Sequence, residues 1–301
     1  MNKEALFYIE ENDVIKCGLC PHRCTIKEGR NGICKVREAK RDSDGRLKLY
    51  TINYGEITSM AMDPIEKKPL YNFCSGTQIL SIGSFGCNFK CSFCQNYSIS
   101  QYKAESRFVP ADEMANISLD IENNIGLAFT YNEPSIWYEY VYDVAREIKR
   151  IDENHKVVLV TNGYICEEPL KELLPYVDAM NIDLKGGNQY YRKLCYGKLD
   201  PIENSIKVAY ENGCHVEVTT LLVPGENTDD ETLNHIGEFL SSIDKNIVLH
   251  LSRYFPRYKM ELESTPLDEI KKSYKILSKY LNNIYLGNLT REEYEYCTKN
   301  C

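Results

Sequence analysis

The sequence lacks the features that mark nucleic-acid-binding and membrane proteins. Its 301 residues carry a net charge of −8, and Lys and Arg do not gather in a run, so no basic face for a phosphate backbone is expected. No apolar run approaches the roughly 20 residues that cross a bilayer, and Glu4 and Glu10 occupy a stretch that would be apolar in a signal peptide. We therefore expect a cytoplasmic protein without nucleic-acid or membrane partners.

Internal repeats, low-complexity segments and long linkers are also missing from the sequence, which favours one large α/β domain with a small appendage. The chain is instead rich in cysteine. Thirteen cysteines would suggest a disulfide scaffold in a small secreted protein, whereas in a cytoplasmic chain of this length they predict metal ligands and reduced thiols.

Three of these cysteines form the most informative motif of the sequence. Cys87, Cys91 and Cys94 stand in a C-x3-C-x2-C spacing directly after the apolar run 79–86, which is typical of a buried strand. Three thiolates on one short loop suit three corners of a cubic iron–sulfur cluster and leave its fourth iron open. Such an iron is suited to the radical chemistry of S-adenosylmethionine (SAM). The alternative is a zinc knuckle that takes its fourth ligand from elsewhere.

A second cysteine group lies in the turn-rich segment that precedes this loop. Cys17, Cys20, Cys24 and Cys34 fall within eighteen residues, and such a segment folds poorly unless a metal closes its loops. We expect either a structural zinc or an auxiliary 4Fe–4S cluster here, with ordinary buried thiols as a third interpretation. His22 could replace one of the cysteines.

From Ile79 onward, strand-like segments alternate with helix-like segments, the pattern of βα units around a parallel sheet. The predicted strands cover 79–85, 126–131, 156–161, 179–184, 215–223 and 246–252, with a further short strand at 284–286. The predicted helices cover 111–123, 135–153, 167–175, 201–213, 229–243 and 266–282. Six units are too few for a closed eight-stranded barrel, so we expect an open partial barrel with its active site at the carboxyl ends of the strands.

In its cysteine motifs the sequence resembles the radical SAM superfamily. The stretches GCNFKCSFCQN and CGLCPHRC, the latter followed by GRNGIC, are most similar to the AmmeMemoRadiSam system radical SAM enzymes, relatives of the pyruvate formate-lyase activating enzymes. Residues 63–71 also match that family, whereas 72–77 depart from its usual His-Phe-x-Pro-Gly pattern. The resemblance extends from Cys17 to about Asn288, and it implies a partial (β/α)6 TIM-like radical SAM barrel.

The resemblance also implies roles for four polar residues at strand ends. Glu133, with Asn132, stands where the superfamily has a glycine-glycine-glutamate stretch, which implies that Glu133 accepts from the amino group of SAM; the alternative is a helix cap. Asp183 and Lys185 match the D-x-K motif of glycyl-radical activating enzymes. Lys185 would pair with the SAM carboxylate, and Asp183 would position it or take a ribose hydroxyl. A structural ion pair is the alternative.

Two further residues are candidates for contact with SAM. His250 resembles the last-strand histidine of the activating enzymes, although a lone histidine on an apolar strand is more often a core residue. Asn162, in a Thr-Asn-Gly turn, is a candidate for the ribose. The isolated cysteines are expected to pack as small apolar groups or to lie at the surface: Cys74, Cys166, Cys195 and Cys214.

The predicted organisation is a cysteine-rich metal-binding leader at 1–60, a radical SAM partial barrel at 61–289 and a C-terminal tail at 290–301. The tail carries a second spaced pair, Cys297 and Cys301. This pair either joins the leader cysteines around a metal or belongs to a frayed chain end.

Together the resemblance implies an oxygen-sensitive radical SAM oxidoreductase. It would cleave SAM reductively at a site-differentiated 4Fe–4S cluster and abstract hydrogen from an unidentified substrate, with a flavodoxin or ferredoxin as electron donor. One alternative is an activating enzyme that installs a glycyl radical on a partner enzyme, and another is an iron–sulfur carrier or maturation scaffold. The family also implies a protein substrate or a Memo- or AMMECR-type partner.

Overall fold

The computed structural model describes residues 3–299. The strands in chain order are β1 (Lys3–Glu4), β2 (Tyr8–Glu11), β3 (Val14–Cys17), β4 (Thr25–Ile26), β5 (Arg37–Arg41), β6 (Leu47–Thr51), β7 (Glu56–Ile57), β8 (Ser59–Pro64), β9 (Gln78–Gly83), β10 (Arg107–Phe108), β11 (Asn124–Phe129), β12 (Lys156–Thr161), β13 (Ala179–Asp183), β14 (His215–Leu222), β15 (Val248–Arg253) and β16 (Asn283–Gly287). The helices are α1 (Tyr97–Ser100), α2 (Ala111–Asp120), α3 (Tyr138–Ile151), α4 (Glu167–Leu173), α5 (Asn188–Tyr190), α6 (Asp200–Glu211), α7 (Asp230–Ile243), α8 (Leu267–Leu277) and α9 (Arg291–Thr298). Short 3₁₀ segments cover Ile65–Lys67, Pro134–Trp137 and Leu174–Tyr176, and a π-helical turn covers Tyr191–Cys195.

An eight-stranded sheet forms the centre of the fold, in the order β16-β15-β14-β13-β12-β11-β9-β8. Seven of these strands run parallel, and β8 pairs antiparallel with β9 along one edge. The parallel strands are mostly buried and rich in Val, Ile and Leu, as expected where both faces of a sheet are covered. The predicted α/β class is therefore confirmed, with seven parallel strands in place of six full units.

The predicted strands agree with the observed ones to within two residues at each end, including the short strand that becomes β16. The helices agree less well at their ends. Helix α8 ends at Leu277, five residues before the predicted end, because the buried Leu281 beyond it continues an apolar pattern without continuing the helix. Strand β8 was not predicted, since Ser59–Pro64 has three consecutive exposed residues and one buried residue and therefore carries little periodic signal.

Helix α9 lies in the region predicted as a tail. Thr290 and Glu293 form a reciprocal capping box at its start, a signal that the sequence analysis did not use. Cys297 on this helix is buried, and its thiol lies 3.6 Å from the backbone oxygen of Leu267. The frayed-end interpretation is therefore wrong for Cys297, while Cys301 lies outside the described residues. Within 3–299 no helix is long and apolar enough to cross a bilayer.

The N-terminal segment folds as two three-stranded antiparallel sheets, β2-β3-β4 and β1-β6-β5. It is attached to the rest of the chain through helix α3. The buried guanidinium of Arg37 pairs with the buried carboxylate of Glu139, and the same carboxylate accepts from the backbone N–H of Leu6 at 2.8 Å. The division at residue 60 stays a prediction.

Residues 65–77, which we call the plug segment, cover part of the inner face of the sheet. Leu70 packs with Ile79, Ala128 and Ala179, on β9, β11 and β13. The two oxygens of the Glu217 carboxylate accept from the backbone N–H groups of the plug segment at 2.9 and 2.8 Å, through Tyr71 and Asn72. Since Glu217 lies near the start of β14, the plug segment closes the amino-terminal side of this face.

Candidate active site

A cavity of about 450 Å³ opens at the carboxyl ends of the parallel strands. Part of its wall belongs to the plug segment, through Lys67, Lys68 and Pro69. Eight predicted site residues line this cavity: Cys87, Cys91, Cys94, Asn132, Glu133, Asn162, Asp183 and Lys185. The structure thus brings together residues from the loop after β9 and from the ends of β11, β12 and β13. Their chemical roles stay predictions.

Residues 86–96, the cysteine loop, follow β9 and are held in a compact form by local bonds. The backbone N–H of Gly86 donates to the oxygen of Ile99 at 2.9 Å, and the thiol of Cys94 lies 3.2 Å from the hydroxyl of Ser100. Phe89 and Phe93 point into the core, each at most 5% exposed. The two aromatic side chains lie on either side of Cys91 in the sequence, and their burial anchors the loop, whose three cysteines line the cavity.

The sulfur of Cys87 lies in a polar surrounding. It accepts from the backbone N–H of Phe89 at 3.3 Å, and the side-chain amide of Asn162 lies 3.7 Å away. Asn162 also donates to the side-chain oxygen of Asn88 at 2.9 Å. Burial and the nearby charge of Glu133 raise the pKa of Cys87 well above its usual range. A free thiolate is thus disfavoured here, and a metal cation would remove that cost.

Glu133 is buried and caps the 3₁₀ segment Pro134–Trp137, so the helix-cap interpretation is confirmed. One oxygen accepts from Ser135 N–H at 2.9 Å and from the hydroxyl of Thr161 at 2.6 Å, and the other accepts from Asn162 N–H at 2.8 Å. A carboxylate offers about four acceptor positions, so one position on the second oxygen is left for a ligand. Contact with SAM stays a prediction.

Asn132 has both ends of its amide engaged. Its oxygen accepts from Ser84 N–H at 3.0 Å, and its nitrogen donates to the backbone oxygen of Gly86 at 3.1 Å. The side chain therefore joins the end of β9 to the cysteine loop.

The side chains of Asp183 and Lys185 point to the same side of the strand end, as the alternation of β13 predicts. The Lys185 ammonium donates to the Asp183 carboxylate at 2.6 Å, and the Lys185 side chain is only 11% exposed. Burial opposes a charged Lys185, but the charges of Asp183 and Cys91 outweigh it and raise the pKa. The ion-pair interpretation is thus confirmed, and it leaves a charged amine at the cavity wall. Binding to SAM stays a prediction.

His250 does not line this cavity. It is buried on β15, and its Nε2 lies 2.6 Å from the carboxylate of Glu217. The ring also contacts Tyr71 of the plug segment, with 4.7 Å between ring centroids. The described geometry assigns His250 to the closed side of the sheet, while its predicted contact with SAM is untested.

The four leader cysteines line a second, much smaller cavity together with Arg37 and His22: Cys17, Cys20, Cys24 and Cys34. The guanidinium of Arg37 donates to the sulfur of Cys17 at 3.4 Å, and Ile33 N–H donates to the sulfur of Cys24 at 3.5 Å. Burial raises the pKa of Cys34 to about 11, so its thiolate too is costly without a cation. Apolar side chains such as Leu19 and Ile26 form most of the remaining wall.

The leader touches the cysteine loop on both sides of Cys87. A Cβ atom on Gly86 would lie 2.9 Å from the backbone oxygen of Cys34, which shows how closely the two segments approach. On the other side, Nε2 of His22 donates to the backbone oxygen of Asn88 at 2.8 Å. Sequence reasoning missed these contacts because they join segments more than fifty residues apart.

Cys195 was also missed. The sequence predicts a thiol that packs as a small apolar group, and Cys195 is indeed fully buried, but its thiol lies beside the sulfur of Cys91. Its isolated position, far from any other cysteine in the sequence, gave no signal for this contact.

The donor set fits an iron–sulfur cluster. In residues 3–299 no three His, Cys, Asp or Glu side chains converge as ligands of one metal ion. A cubic cluster places each cysteine on a different iron, so its ligands need only face a common space. Cys87, Cys91 and Cys94 do so, and the same cavity holds an amine and two carboxylates that complement the charged groups of SAM.

Comparison with known proteins points to one family. Residues 81–236 match the radical SAM superfamily. An uncharacterized protein of Methanocaldococcus jannaschii is 39% identical over 99% of this chain and 89% of its own length. A second protein of that organism, assigned provisionally as a glycyl-radical enzyme activating enzyme, is 30% identical over 68% of this chain and 79% of its own length. A pyruvate formate-lyase-activating enzyme of Staphylococcus epidermidis is 25% identical over 53% of this chain and 67% of its own length.

Among solved structures, a radical SAM methyltransferase from Sphaerobacter thermophilus has a TM-score of 0.56 and 13% identity. The match covers 95% of this chain and 76% of that chain. At this identity the likeness concerns the fold alone.

Proposed function

The chain belongs to the radical SAM superfamily, and from this premise we propose that it cleaves SAM reductively and abstracts a hydrogen atom from a substrate held in the 450 Å³ cavity. The observation that carries the proposal is the meeting of three loop thiols with the Asp183–Lys185 pair in that cavity. When bound, a 4Fe–4S cluster on Cys87, Cys91 and Cys94 supplies one electron to the SAM sulfonium, which yields methionine and the 5′-deoxyadenosyl radical.

The residues of the cavity wall would bind and orient SAM. Lys185, held by Asp183 and largely shielded from water, is suited to bind the SAM carboxylate. The remaining acceptor position of Glu133 is suited to the SAM ammonium. Burial raises the pKa of Glu133, its three existing donors oppose that rise and fix the carboxylate, and a bound ammonium would further favour the ionised form. Asn162 would hold the sulfur of Cys87 in place and could still meet a ribose hydroxyl.

The test is formation of 5′-deoxyadenosine. The full chain, reconstituted anaerobically with iron and sulfide, would be reduced with dithionite in the presence of SAM. We expect product from the wild type and none from the Cys87→Ala, Cys91→Ala, Cys94→Ala variant. Lys185→Ala should retain the iron and lose most of the activity. Absence of product from a wild-type protein with full iron in the loop would contradict the proposal.

A more specific candidate is installation of a glycyl radical on a partner enzyme. It is supported by the 30% identity to a relative named as a glycyl-radical enzyme activating enzyme and by the Asp183–Lys185 pair. A partner protein with deuterated glycine should transfer deuterium into 5′-deoxyadenosine. A small-molecule substrate or a Memo- or AMMECR-type partner would leave the deuterium in the glycine.

An iron–sulfur carrier is the candidate from a different class. It predicts normal function after Lys185→Ala or Glu133→Ala, provided that the metal content is unchanged. The depth at which these two residues are buried beside the thiols favours an enzyme, since a carrier has no need of them.

We further propose that the leader cysteines bind a metal, either a second 4Fe–4S cluster or zinc. Four thiols around one small cavity, with a buried arginine donating to one of them, suit an anionic metal–thiolate centre. Since no three side chains of the described residues converge on one metal ion, a cluster, whose cysteines bind separate irons, fits these thiols better than zinc. Iron and zinc analysis of the wild type and of Cys20→Ser would assign the metal. A flavodoxin or ferredoxin would supply electrons, and the reducing cytoplasm would suit both sites.

A further inference from the structure

The segment 188–197 closes over the cysteine loop from the side opposite the leader. Helix α5 continues there into the π-helical turn Tyr191–Cys195, a form often found at functional sites. The backbone oxygen of Cys195 accepts from Lys90 N–H at 3.1 Å, and that of Leu194 accepts from Ser92 N–H at 3.2 Å. These two bonds flank Cys91, so the turn is fixed on either side of this residue.

Two polar groups of this segment lie against the loop without a role in the proposed binding of SAM. Cys195 has no exposed surface, and its thiol lies beside the sulfur of Cys91. Tyr190 is 3% exposed, and its hydroxyl has no hydrogen-bond partner in the described part of the chain. Its ring lies 5.8 Å from that of Phe93, which stands between Cys91 and Cys94.

A buried hydroxyl without a partner destabilises the fold, so its presence calls for an acceptor. Tyr190 precedes the turn that is bonded to the loop on either side of Cys91, and its ring packs against Phe93, so the cysteine loop is the neighbour of this residue. The cysteine loop offers sulfur acceptors to this region, as thiolate and, when a cluster is bound, as cluster sulfide. A tyrosine hydroxyl and a thiol are both donors to such acceptors.

We propose that Cys195 and Tyr190 are hydrogen-bond donors to the sulfur atoms around Cys91 and thereby set the reduction potential of the cluster on the cysteine loop. This inference rests on the proposed function, because it requires that cluster. Hydrogen bonds to cluster sulfurs are an established determinant of potential, since they stabilise the more negative, reduced state. Removal of either donor should make the cluster harder to reduce.

The experiment is a redox titration of the reconstituted full chain, followed by electron paramagnetic resonance in the absence of SAM. For Cys195→Ala we expect the reduction equilibrium to weaken roughly three- to tenfold, where tenfold corresponds to 59 mV for one electron. Tyr190→Phe should shift the midpoint in the same direction. Cys195→Ser, which keeps a donor, should recover most of the wild-type midpoint.

Two variants remove the same groups elsewhere in the core. Cys214→Ala deletes a buried thiol next to the start of β14. Tyr140→Phe deletes a buried hydroxyl on α3 that donates to the backbone oxygen of Val109. Both should retain the wild-type midpoint. Unchanged midpoints in Cys195→Ala and Tyr190→Phe, with full iron in the loop, would overturn the inference.

Two further results separate this inference from the proposed function. Shifted midpoints together with no 5′-deoxyadenosine from the wild type would retain the inference and overturn the proposed function. A Cys195→Ala protein that fails to hold iron would leave the decision to Tyr190→Phe. A wild-type midpoint in Tyr190→Phe, with full iron in the loop, would then overturn the inference.

Discussion

The two cysteine sites of this protein share thiol ligands and differ in their surroundings. The cysteine loop faces a cavity of about 450 Å³ whose wall is rich in charged and amide groups. The leader cysteines enclose a far smaller space between apolar side chains and one arginine. Metal sites that are structural are closed, and metal sites that act on a substrate keep an open position. Under the proposed function, the comparison therefore favours a structural task for the leader and leaves the chemistry to the loop.

The sites also differ in how their charge is balanced. Arg37 of the leader pairs with Glu139 and donates to Cys17, so its charge is committed within the protein. Lys185 pairs with Asp183 at the cavity wall, where a bound anion can reach the same ammonium. The Arg37 guanidinium therefore acts within the folded protein, whereas the Lys185 ammonium at the cavity wall can also bind a ligand.

The largest effect is expected when cysteines of the leader are removed. The double substitution Cys20→Ser, Cys34→Ser should abolish metal binding by the leader. We expect it to cost more than about 5 kcal/mol of the leader's free energy of unfolding, because structural zinc contributes roughly 10–16 kcal/mol in finger peptides. Metal analysis and thermal unfolding would measure both effects. The double variant Cys74→Ser, Cys214→Ser removes two thiols outside both sites and should keep the wild-type metal content.

The second test concerns the link between the leader and α3. Arg37→Met leaves the buried Glu139 without its partner and should cost about 3–5 kcal/mol in urea unfolding. Lys3→Met removes a surface pair with Asp143 that joins the same two parts of the protein, and it should cost under about 1 kcal/mol. Equal losses of unfolding free energy in the two variants would show that the buried ion pair contributes no more to stability than the surface pair.

The third test acts where the leader meets the cysteine loop. Gly86 has a φ of +91°, and an added Cβ would lie 2.6 Å from a side-chain carbon of Val36 and 2.9 Å from the oxygen of Cys34. Gly86→Ala should therefore cost roughly 2–4 kcal/mol and reduce iron retention by the loop. Gly76→Ala has a similar φ of +80° and open space around it. It should cost only about 1 kcal/mol, and a loss as large as that of Gly86→Ala would refute the contact argument.

The smallest expected effect concerns Glu217, which lies outside both cysteine sites. Its substitution should change stability and leave both sites intact. Burial would raise the pKa of Glu217, but bonds from His215, His250 and two backbone N–H groups of the plug segment lower it to about 2, from 4.5. A carboxylate with a lowered pKa stabilises the fold above its unfolded pKa. This stabilisation, roughly 2–3 kcal/mol, should fade as the pH falls from about 4.5 towards 2.

Glu217→Gln should therefore be less stable than the wild type at pH 7, and the difference should shrink below pH 4.5. Denaturant unfolding across that range would measure it, with iron binding unchanged. The matched control is Glu203→Gln, which removes a surface pair with His235 at 2.7 Å and should change stability by under about 1 kcal/mol. A pH-independent difference for Glu217→Gln would contradict the assignment.

Most of the sheet and the cavity wall could be predicted from the sequence. Apolar strands of regular length are separated by helices with clear start signals, and parallel strands bring their polar ends to one edge. Glu133, Asp183 and Lys185 therefore meet the cysteine loop as the strand order requires.

What could not be predicted depends on packing between distant segments. The contact of Cys195 with Cys91 requires a π-helical turn, which has no reliable sequence signal. His250 would lie on an apolar strand whether it contacted SAM or packed in the core. Only the structure shows that it hydrogen-bonds to Glu217. The capping box of α9 is visible in the sequence and could have predicted the start of that helix. Strand β8 lacks the alternation of buried and exposed residues that identifies a strand.

The plug segment has a consequence for the order of events in a catalytic cycle. It closes the amino-terminal side of the sheet's inner face and contributes Lys67 and Lys68 to the cavity wall, so the mouth lies at the carboxyl ends of the strands. If the substrate is the partner enzyme of the proposed activation, SAM would enter before that protein covers the opening. The products of SAM would leave after the protein departs. Steady-state kinetics should accordingly follow a compulsory order of addition and release.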